Sequence, residues 1–281
     1  ANLKTLLQAS NAQSPFPFRD GFIVGKPLAG LDFLSVIANA VTDSDVVEYL
    51  EETTYTNAAA ITAENTDAAE SAIAFTKRTA NVREITHFLP VTRRALADQA
   101  FIESWVNNRM IDGVRRTLQT QVLGGDGTGS NFTGIYNASG VGSVDRSDTS
   151  LSMLDSLHRC ITTVRANAFI EPDFIGIHPD DYDAIRLAKA STAGTYLYGN
   201  PVEGGPLTLW GVPAIVHAAF TSGTPLVGRG ADATLWVREG LAVSMSDSHS
   251  DYFIKRNVAV LGSIRAAFAV TQPKAFAKSV A

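Results

Sequence analysis

Cysteine is almost missing from this chain. Cys160 stands alone among 281 residues, which excludes an intrachain disulfide and any cysteine-rich zinc site. Long apolar runs are missing too, for nothing approaches the roughly 20 residues that a membrane-spanning helix needs. Positive charge is not in excess: 23 Lys and Arg face 28 Asp and Glu, a net charge of −5, so a polyanion-binding field over the whole surface is excluded. A local basic patch stays compatible with that balance. Histidine is sparse, and His87, His158 and His217 are scattered with no His-x-x-x-His pair. The chain begins Ala1-Asn2-Leu3-Lys4-Thr5, without an initiator Met and without an apolar signal-peptide core. Met removal, trimming or proteolytic maturation would each account for that start.

What is present suits a globular chain of one large or two small domains, with 45% apolar and 18% charged residues. Residues 1–32 are polar and then punctuated by proline and glycine, which predicts an extended arm that docks its aromatics elsewhere. From Val46 the chain is rich in β-branched and aromatic residues, with Val47, Tyr49 and Tyr55 on one parity. A return run follows through Ile73, Phe75, Lys77 and Thr79, then Val82, Ile85, His87 and Leu89. Between the two lies the small, acidic stretch Ala58–Glu70, whose composition leaves a short helix and a loop both open. Two-stranded ribbons are marginally stable alone, so one this long implies a surface supplied by another chain.

Thr92 or Asp98 can cap what comes next. Phe101, Ile102, Trp105, Val106, Met110, Val114, Leu118 and Val122 recur at threes and fours, predicting a helix from about Ala100 to Leu123, stopped by Gly124-Gly125. Arg109, Arg115 and Arg116 lie largely off that stripe. Residues 150–224 read as a small α/β unit with helices near 151–164 and 179–187, a buried strand at Phe174–Ile177, and a loop from Ala190 to Gly205. From Ala233 strands are predicted at Leu235–Val237, Leu241–Met245, Phe253–Leu261 and Ile264–Val270.

Each candidate for chemistry has a plainer explanation. The run Gly124-Gly125-Asp126-Gly127-Thr128-Gly129 lacks the Lys-Ser/Thr of a phosphate loop and follows a helix instead of preceding one, so it reads as a tight turn. Ser246-Asp247-Ser248-His249-Ser250-Asp251 holds every letter of a catalytic triad, yet triad members converge from distant segments, and a solvated or interface loop fits better. His178 with Asp180 and Asp181 has a metal-like composition that a strand end and a helix start explain. Cys160 falls on an apolar helical face as a small core residue. No catalytic set, cofactor site or metal site is predicted, and the chain is not expected to be an enzyme.

Several stretches in order then resemble one family. They are Glu48-Tyr49 with Tyr55-Thr56-Asn57, Phe75 through Val82, Val106-Asn107-Asn108-Arg109, Gly125 through Gly129, Leu209-Trp210-Gly211-Val212-Pro213, Phe253-Ile254-Lys255, and Arg265. Together they resemble the major capsid proteins of tailed bacteriophages with the Hong Kong 97 fold, over nearly the whole chain. The resemblance implies an α+β fold with an N-terminal arm at 1–32 and an extended E-loop at 46–82. It implies a P-domain from 33–45, 83–130 and 231–270 with a spine helix about 100–123, and an A-domain at 131–230 to which 271–281 is open to return. It implies A-domains meeting around a capsomer axis, with the loop Ala190–Gly205 near it, and E-loops lying across neighbouring subunits.

The implied function is structural: self-assembly into hexamers and pentamers of an icosahedral head around double-stranded DNA bound without sequence specificity. The implied partners are further copies of the chain and a portal protein, with a decoration protein and a maturation protease as additional candidates, and no membrane. The setting is the capsid shell of a virion assembled in the bacterial cytoplasm. The alternative is an encapsulin-like shell of a cellular nanocompartment on the same fold. The type member joins its subunits by an isopeptide bond between an E-loop lysine and a P-domain asparagine, aided by a glutamate. The matching positions here are Ala68, Arg256 and Ser263, and no lysine lies between Ala58 and Ser71, so cross-linking is not expected. Lys77 and Arg93 match family positions near the meeting points of three capsomers, where Ser130 and Ser244 replace acidic partners and leave Asp247 or Asp251 as candidates. Glu64, Asp67 and Glu70 at the E-loop tip complete the expected contacts between subunits.

Overall fold

The computed structural model describes residues 33–98, 100–147, 151–189 and 207–280. The predicted arm over 1–32 and the loop Ala190–Gly205 lie outside these residues. After a short 3-10 turn at Phe33–Ser35 come β1 (Ala38–Val41) and then the ribbon, β2 (Val46–Thr56) with β3 (Ala72–Asn81). The ribbon strands pair antiparallel from Val46↔Asn81 to Thr56↔Ala72, with a register shift between Glu52 and Thr54. The return run divides at Val82. Beyond it, β4 (Arg83–Thr92) leaves the ribbon and joins a second sheet.

The stretch left open between helix and loop is a loop with one turn at Glu64–Asn65. Asn65 takes a left-handed φ of 64°, which asparagine tolerates better than most residues. The Ser71 hydroxyl accepts the Ala58 N–H at 3.1 Å and closes the neck. Alanine favours helix, but Thr62, Asn65, Thr66 and Asp67 do not, and so short a helix has no packing face to stabilise it.

A short helix α1 (Arg93–Asp98) follows, its first turn capped by the Thr92 hydroxyl, which accepts the Ala95 N–H at 3.3 Å. The long helix α2 (Ala100–Gly124) then buries Val106, Met110, Val114, Leu118 and Val122, the predicted stripe. That stripe lies on the sheet formed by β4, β10 (Ala233–Ser246) and β11 (Asn257–Val270). The strand order is β1-β10-β11-β4. Arg115 and Arg116 are exposed, and Arg116 pairs with Asp112 one turn back at 2.8 Å.

The glycine run is a turn. Gly127 and Gly129 have φ of +72° and +57°, a region glycine enters freely. The Asp126 carboxylate ties the turn together by accepting the Thr128 hydroxyl at 2.7 Å, the Thr128 N–H at 3.0 Å and the Asn131 amide at 2.8 Å.

Beyond the turn lie β5 (Gly142–Asp145), α3 (Met153–Ala168), β6 (Phe174–Ile177), α4 (Pro179–Arg186), β7 (Thr208–Leu209), β8 (Val212–Val216) and β9 (Leu226–Gly228). With β12 (Phe276–Val280) the strands make a six-stranded sheet in the order β5-β12-β9-β6-β8-β7. Residues 276–280 thus sit inside the sheet, parallel to β5 and antiparallel to β9. His178 is the cap of α4, its Nδ1 accepting the Asp180 N–H at 3.2 Å. Cys160 is wholly buried on α3, and burial pushes its thiol up to about 12.

The C-terminal strand predictions need correction. Leu235–Val237 and Leu241–Met245 are one strand, β10, with irregular register between Val237 and Ala242. Phe253 does not begin a strand: Tyr252–Lys255 is a helical turn, α5, which ends where Arg256 takes a left-handed φ of 54°, and β11 starts at Asn257. Four residues are too few to display a helical period, and an apolar pair before a strand looks like part of it.

One core joins the two halves. Phe33 meets Phe174 and Phe220 edge-to-face at 5.5 and 5.3 Å, in a cluster that also holds Val114 and Leu118 of α2, Leu235 and Phe268 of the four-stranded sheet, and Phe276 of β12. A second cluster lies under α3, with Leu157, Ile161, Ile175 and Val227.

Gly176 in β6 has the Phe220 ring against its backbone, where a Cβ would stand 2.1 Å from a ring carbon. Gly176→Ala is therefore expected to cost about 1–3 kcal/mol by overpacking, read as a fall in Tm of roughly 2–4 °C per kcal/mol.

Asp126 generates an acid-side prediction. The Thr128 hydroxyl, then the Thr128 N–H and the Asn131 amide, favour the ionised carboxylate and hold its pKa near about 2, below the ordinary 3.8. The turn's contribution is thus fully present above the unfolded value and is lost as pH falls through the folded one. Between pH 4 and pH 2, Asp126→Asn should flatten part of the decline in Tm; curves for the two proteins that stay parallel through that window would contradict this.

Candidate assembly surfaces

The polar loop after β10 does not form a triad. The Ser246 hydroxyl lies 3.2 Å from the Ser248 hydroxyl, while the His249 ring packs edge-on against Tyr252 at 5.0 Å and against Phe88 at 5.8 Å. Asp247 pairs with Arg93, and Asp251 with Lys255 at 3.2 Å. Serine, histidine and aspartate each face a different partner, so no proton could pass among them. Among the described residues there is no cluster of three or more His, Cys, Asp or Glu side chains that could hold a metal ion.

The ribbon is the most unusual surface. Among the described residues it has no second layer, and Leu50, Ile73 and Phe75 are 71%, 55% and 63% exposed, which leaves apolar area along both strands uncovered by them. Its root, by contrast, is anchored. Asp45 pairs with Arg238, and with Arg265 at 3.1 Å, while Arg265 reaches Glu239 at 2.7 Å. The Asp45 carbonyl accepts the Val82 N–H at 2.9 Å, so the two chain crossings at the root are tied. Above them Tyr49 stacks on Trp236 with centroids 6.4 Å apart, and burial raises the Tyr49 hydroxyl pKa. Two ion pairs cross the stem, Lys77 with Glu48 and Arg78 with Glu51, each at 2.6 Å.

Lys77 and Arg93, expected to reach across subunits, thus have acidic partners inside the chain. Lys77↔Leu50 and Thr79↔Glu48 flank the rung Arg78↔Tyr49, so Lys77 and Glu48 lie on one face and meet diagonally. Arg93 follows the rung Thr92↔Asn257 and Asp247 follows Ser246↔Ala259, which places both at one end of the sheet. Asp251 and Lys255 are one helical turn apart. Glu64, Asp67, Ala68 and Glu70 are exposed on the ribbon tip. Arg256 ends α5, and Ser263 lies within β11 opposite Thr86 and Ala242, so the chain does not bring Ala68, Arg256 and Ser263 together within itself.

Sequence reasoning missed an exposed apolar patch and a tryptophan contact distant in sequence. Phe253 and Ile254 on α5 and Phe88 on β4 are exposed at that same sheet end. Trp210-Gly211 is a two-residue hairpin turn with φ of 54° and 81°, and the Trp210 indole N–H donates to the Leu154 carbonyl at 3.0 Å. The apolar pair Phe253-Ile254 beside Lys255 was a signal for the first, and nothing local marks the second, which joins residues 56 positions apart.

A profile of the Phage capsid family matches residues 23–280. The chain belongs to the phage capsid family. This capsid-family chain is 31% identical over 258 residues to the major capsid protein of Enterobacteria phage HK97; the match takes in 91% of this chain and spans 66% of that relative's length. Its fold matches the capsid of a native GTA particle, with a TM-score of 0.78 at 18% identity over 97% of this chain and 98% of that one. It also matches a structure from Microbacterium phage Oxtober96, with a TM-score of 0.76 at 16% identity over 94% and 96% of the two chains. The α+β architecture is thus the Hong Kong 97 type.

The root network of this capsid-family chain orients the ribbon more than it stabilises the fold. Arg265→Ala should change global stability by only about 0–1 kcal/mol, since all its partners are largely exposed. Amide exchange over Val46–Leu50 should nevertheless rise several-fold. Unchanged exchange there would mean that Tyr49 on Trp236 holds the root alone.

Proposed function

We propose that this chain is the major capsid subunit of a tailed phage, which assembles into hexamers and pentamers of an icosahedral head enclosing double-stranded DNA. The observation that carries the reading is the ribbon: a capsid-family chain projects exposed Leu50, Ile73 and Phe75 on a stem with a fixed root. In a closed shell each copy would cover its neighbour's ribbon, and every copy would be covered in turn. On this reading residues 46–82 are the E-loop and α2 is the spine helix. The P-domain comprises 33–45, 83–130 and 231–270, and the A-domain comprises 131–230 joined by β12. The relatives named above come from a phage and from particle capsids, which favours a viral shell over a nanocompartment.

Lys77, Arg93, Asp247 and Asp251, with Glu64, Asp67 and Glu70 on the tip, are the charged groups proposed to meet neighbouring copies. Their partners within the chain leave oxygens and N–H groups for a second contact, and each such exposed pair contributes about 0–1 kcal/mol. Repetition around a symmetric shell makes the sum matter. A portal protein, a maturation protease and a decoration protein are the further partners this role calls for, with assembly in the host cytoplasm.

The shell is proposed to close without isopeptide bonds, because an amide cross-link needs an amine and the tip from Asn57 to Ala72 has no lysine. Purified particles boiled in denaturant should run as single subunits, and a ladder of linked multimers would contradict this. The assembly role itself is tested by electron microscopy and sedimentation of the purified protein. Shells or capsomers of many copies, with nuclease-protected DNA in particles from infected cells, are expected; a small soluble oligomer under all conditions would overturn the reading.

A further inference from the structure

The four-stranded sheet has two sides of unlike charge. Leu235 of β10 and Ile264 of β11 point into the core shared with α2, so the next residues, Trp236 and Arg265, point the other way. Tyr49 stacks on Trp236 and Asp45 pairs with Arg265, so the ribbon leaves from the side opposite the helix. That side is acidic. Glu84 is the rung partner of Arg265, Asp45 and Glu239 pair with the same arginine, and Asp45 also meets Arg238. Over residues 46–82, six Asp and Glu against Lys77 and Arg78 leave a net charge of −4.

The helix side has the opposite sign. Over residues 93–124, five arginines against Asp98, Glu103 and Asp112 leave a net charge of +2. Of these, Arg93 turns to Asp247. While α2 buries Val106, Met110, Val114 and Leu118 against the sheet, its far face carries Asn108, Arg109, Asp112, Arg115 and Arg116. Asn108, Arg115 and Arg116 are exposed. Two of the arginines are held in place: the Arg109 guanidinium lies over the Trp105 ring at 5.6 Å, and Arg116 Nε donates to Asp112 at 2.8 Å.

We propose that the shell turns this face of α2 towards its contents, and that Arg109, Arg115 and Arg116 contact phosphates of the packaged double-stranded DNA. The inference rests on the capsid reading and names the side of the subunit that meets the genome. Arg109 and Arg116 are seven residues apart, about 10 Å along the helix. Duplex DNA carries one charge per roughly 1.7 Å of its axis, so such a stretch lies against several phosphates. The planar guanidinium matches phosphate oxygens two at a time. Phosphate contacts carry no sequence information, which suits a wall that must accept any stretch of a genome. The reverse orientation would set the acidic ribbon side against a polyanion. Each copy offers few contacts, in keeping with a chain of net charge −5, and the closed shell repeats them.

Arginine footprinting of the wild-type protein is the first test. DNA-filled and empty particles are treated with phenylglyoxal, and modification is read at each arginine. Arg109, Arg115 and Arg116 should react at least about fivefold more slowly in filled particles, where phosphate occupies the guanidinium, while Arg78 and Arg265 react equally in both. Equal rates on α2, or slowing confined to the ribbon side, overturn the proposal while the filled particles leave the capsid reading standing. Protection of the three arginines in empty shells as well also overturns it, because protein would then cover the face. Particles that never hold DNA would refute the capsid reading itself.

The second test reverses charge at two exposed positions, Arg115→Glu with Arg116→Glu. Empty shells should form at the wild-type yield while DNA-filled particles fall at least about threefold, and the pair Arg115→Lys with Arg116→Lys should restore them. Filled particles of the reversed variant at the wild-type yield overturn the proposal, as does a lysine pair that fails like the glutamate pair. Should the reversed variant form no shells, the footprint decides.

Discussion

A two-stranded ribbon has no layer behind it, and apolar side chains on both of its faces meet water unless something outside the strand pair covers them. Leu50, Ile73 and Phe75 are in that position, and the rest of the subunit is arranged to keep them there. Tyr49 on Trp236 and the Asp45, Arg265 and Glu239 ion pairs hold the root to the four-stranded sheet. The stem carries Lys77–Glu48 and Arg78–Glu51 across its strands. Such pairs contribute little stability, but they oppose slippage, and register decides which side chains each face presents.

A projecting ribbon is useful only if its base does not yield. The phenylalanine cluster supplies that rigidity. Phe33, Phe174, Phe220 and Phe276 come from four separated stretches of chain, and α2 lays Val114 and Leu118 against the same cluster. The helix therefore connects the six-stranded half to the four-stranded half through packing as well as through the chain. At its end the Asp126 turn redirects the backbone, with every donor around the carboxylate drawn from the next five residues.

The long helix was legible because its buried positions, Val106 through Val122, keep one spacing over five turns. The ribbon was legible for the same reason at period two, and Cys160 and the His178 cap followed from local pattern. What escaped depends on contacts distant in sequence. Tyr49 on Trp236 and Arg93 with Asp247 join residues far apart along the chain, and nothing local marks either pair. The break at Val82 between β3 and β4 came from the family resemblance, which ends the E-loop at 82; the alternation alone does not mark it, because only the partner strand differs. The α5 turn was lost because four residues cannot express a helical period. Ribbon residues such as Lys77 were recognisable as surface groups, yet their partners are set by rung geometry that appears only once the register is known.

Strand β12 has a consequence for how the subunit comes into being. It fills the interior of the six-stranded sheet, between β5 at residues 142–145 and β9 at 226–228. Until residues 276–280 have been synthesised, β5 has no strand to join, and β9 shows an unpaired side. Closure thus waits on a contact spanning more than a hundred residues, the kind of long-range pairing that folds slowly. A nascent chain would spend that interval with its sheet divided in two and its ribbon already extruded, a period in which unfinished copies present unpaired strand edges to one another.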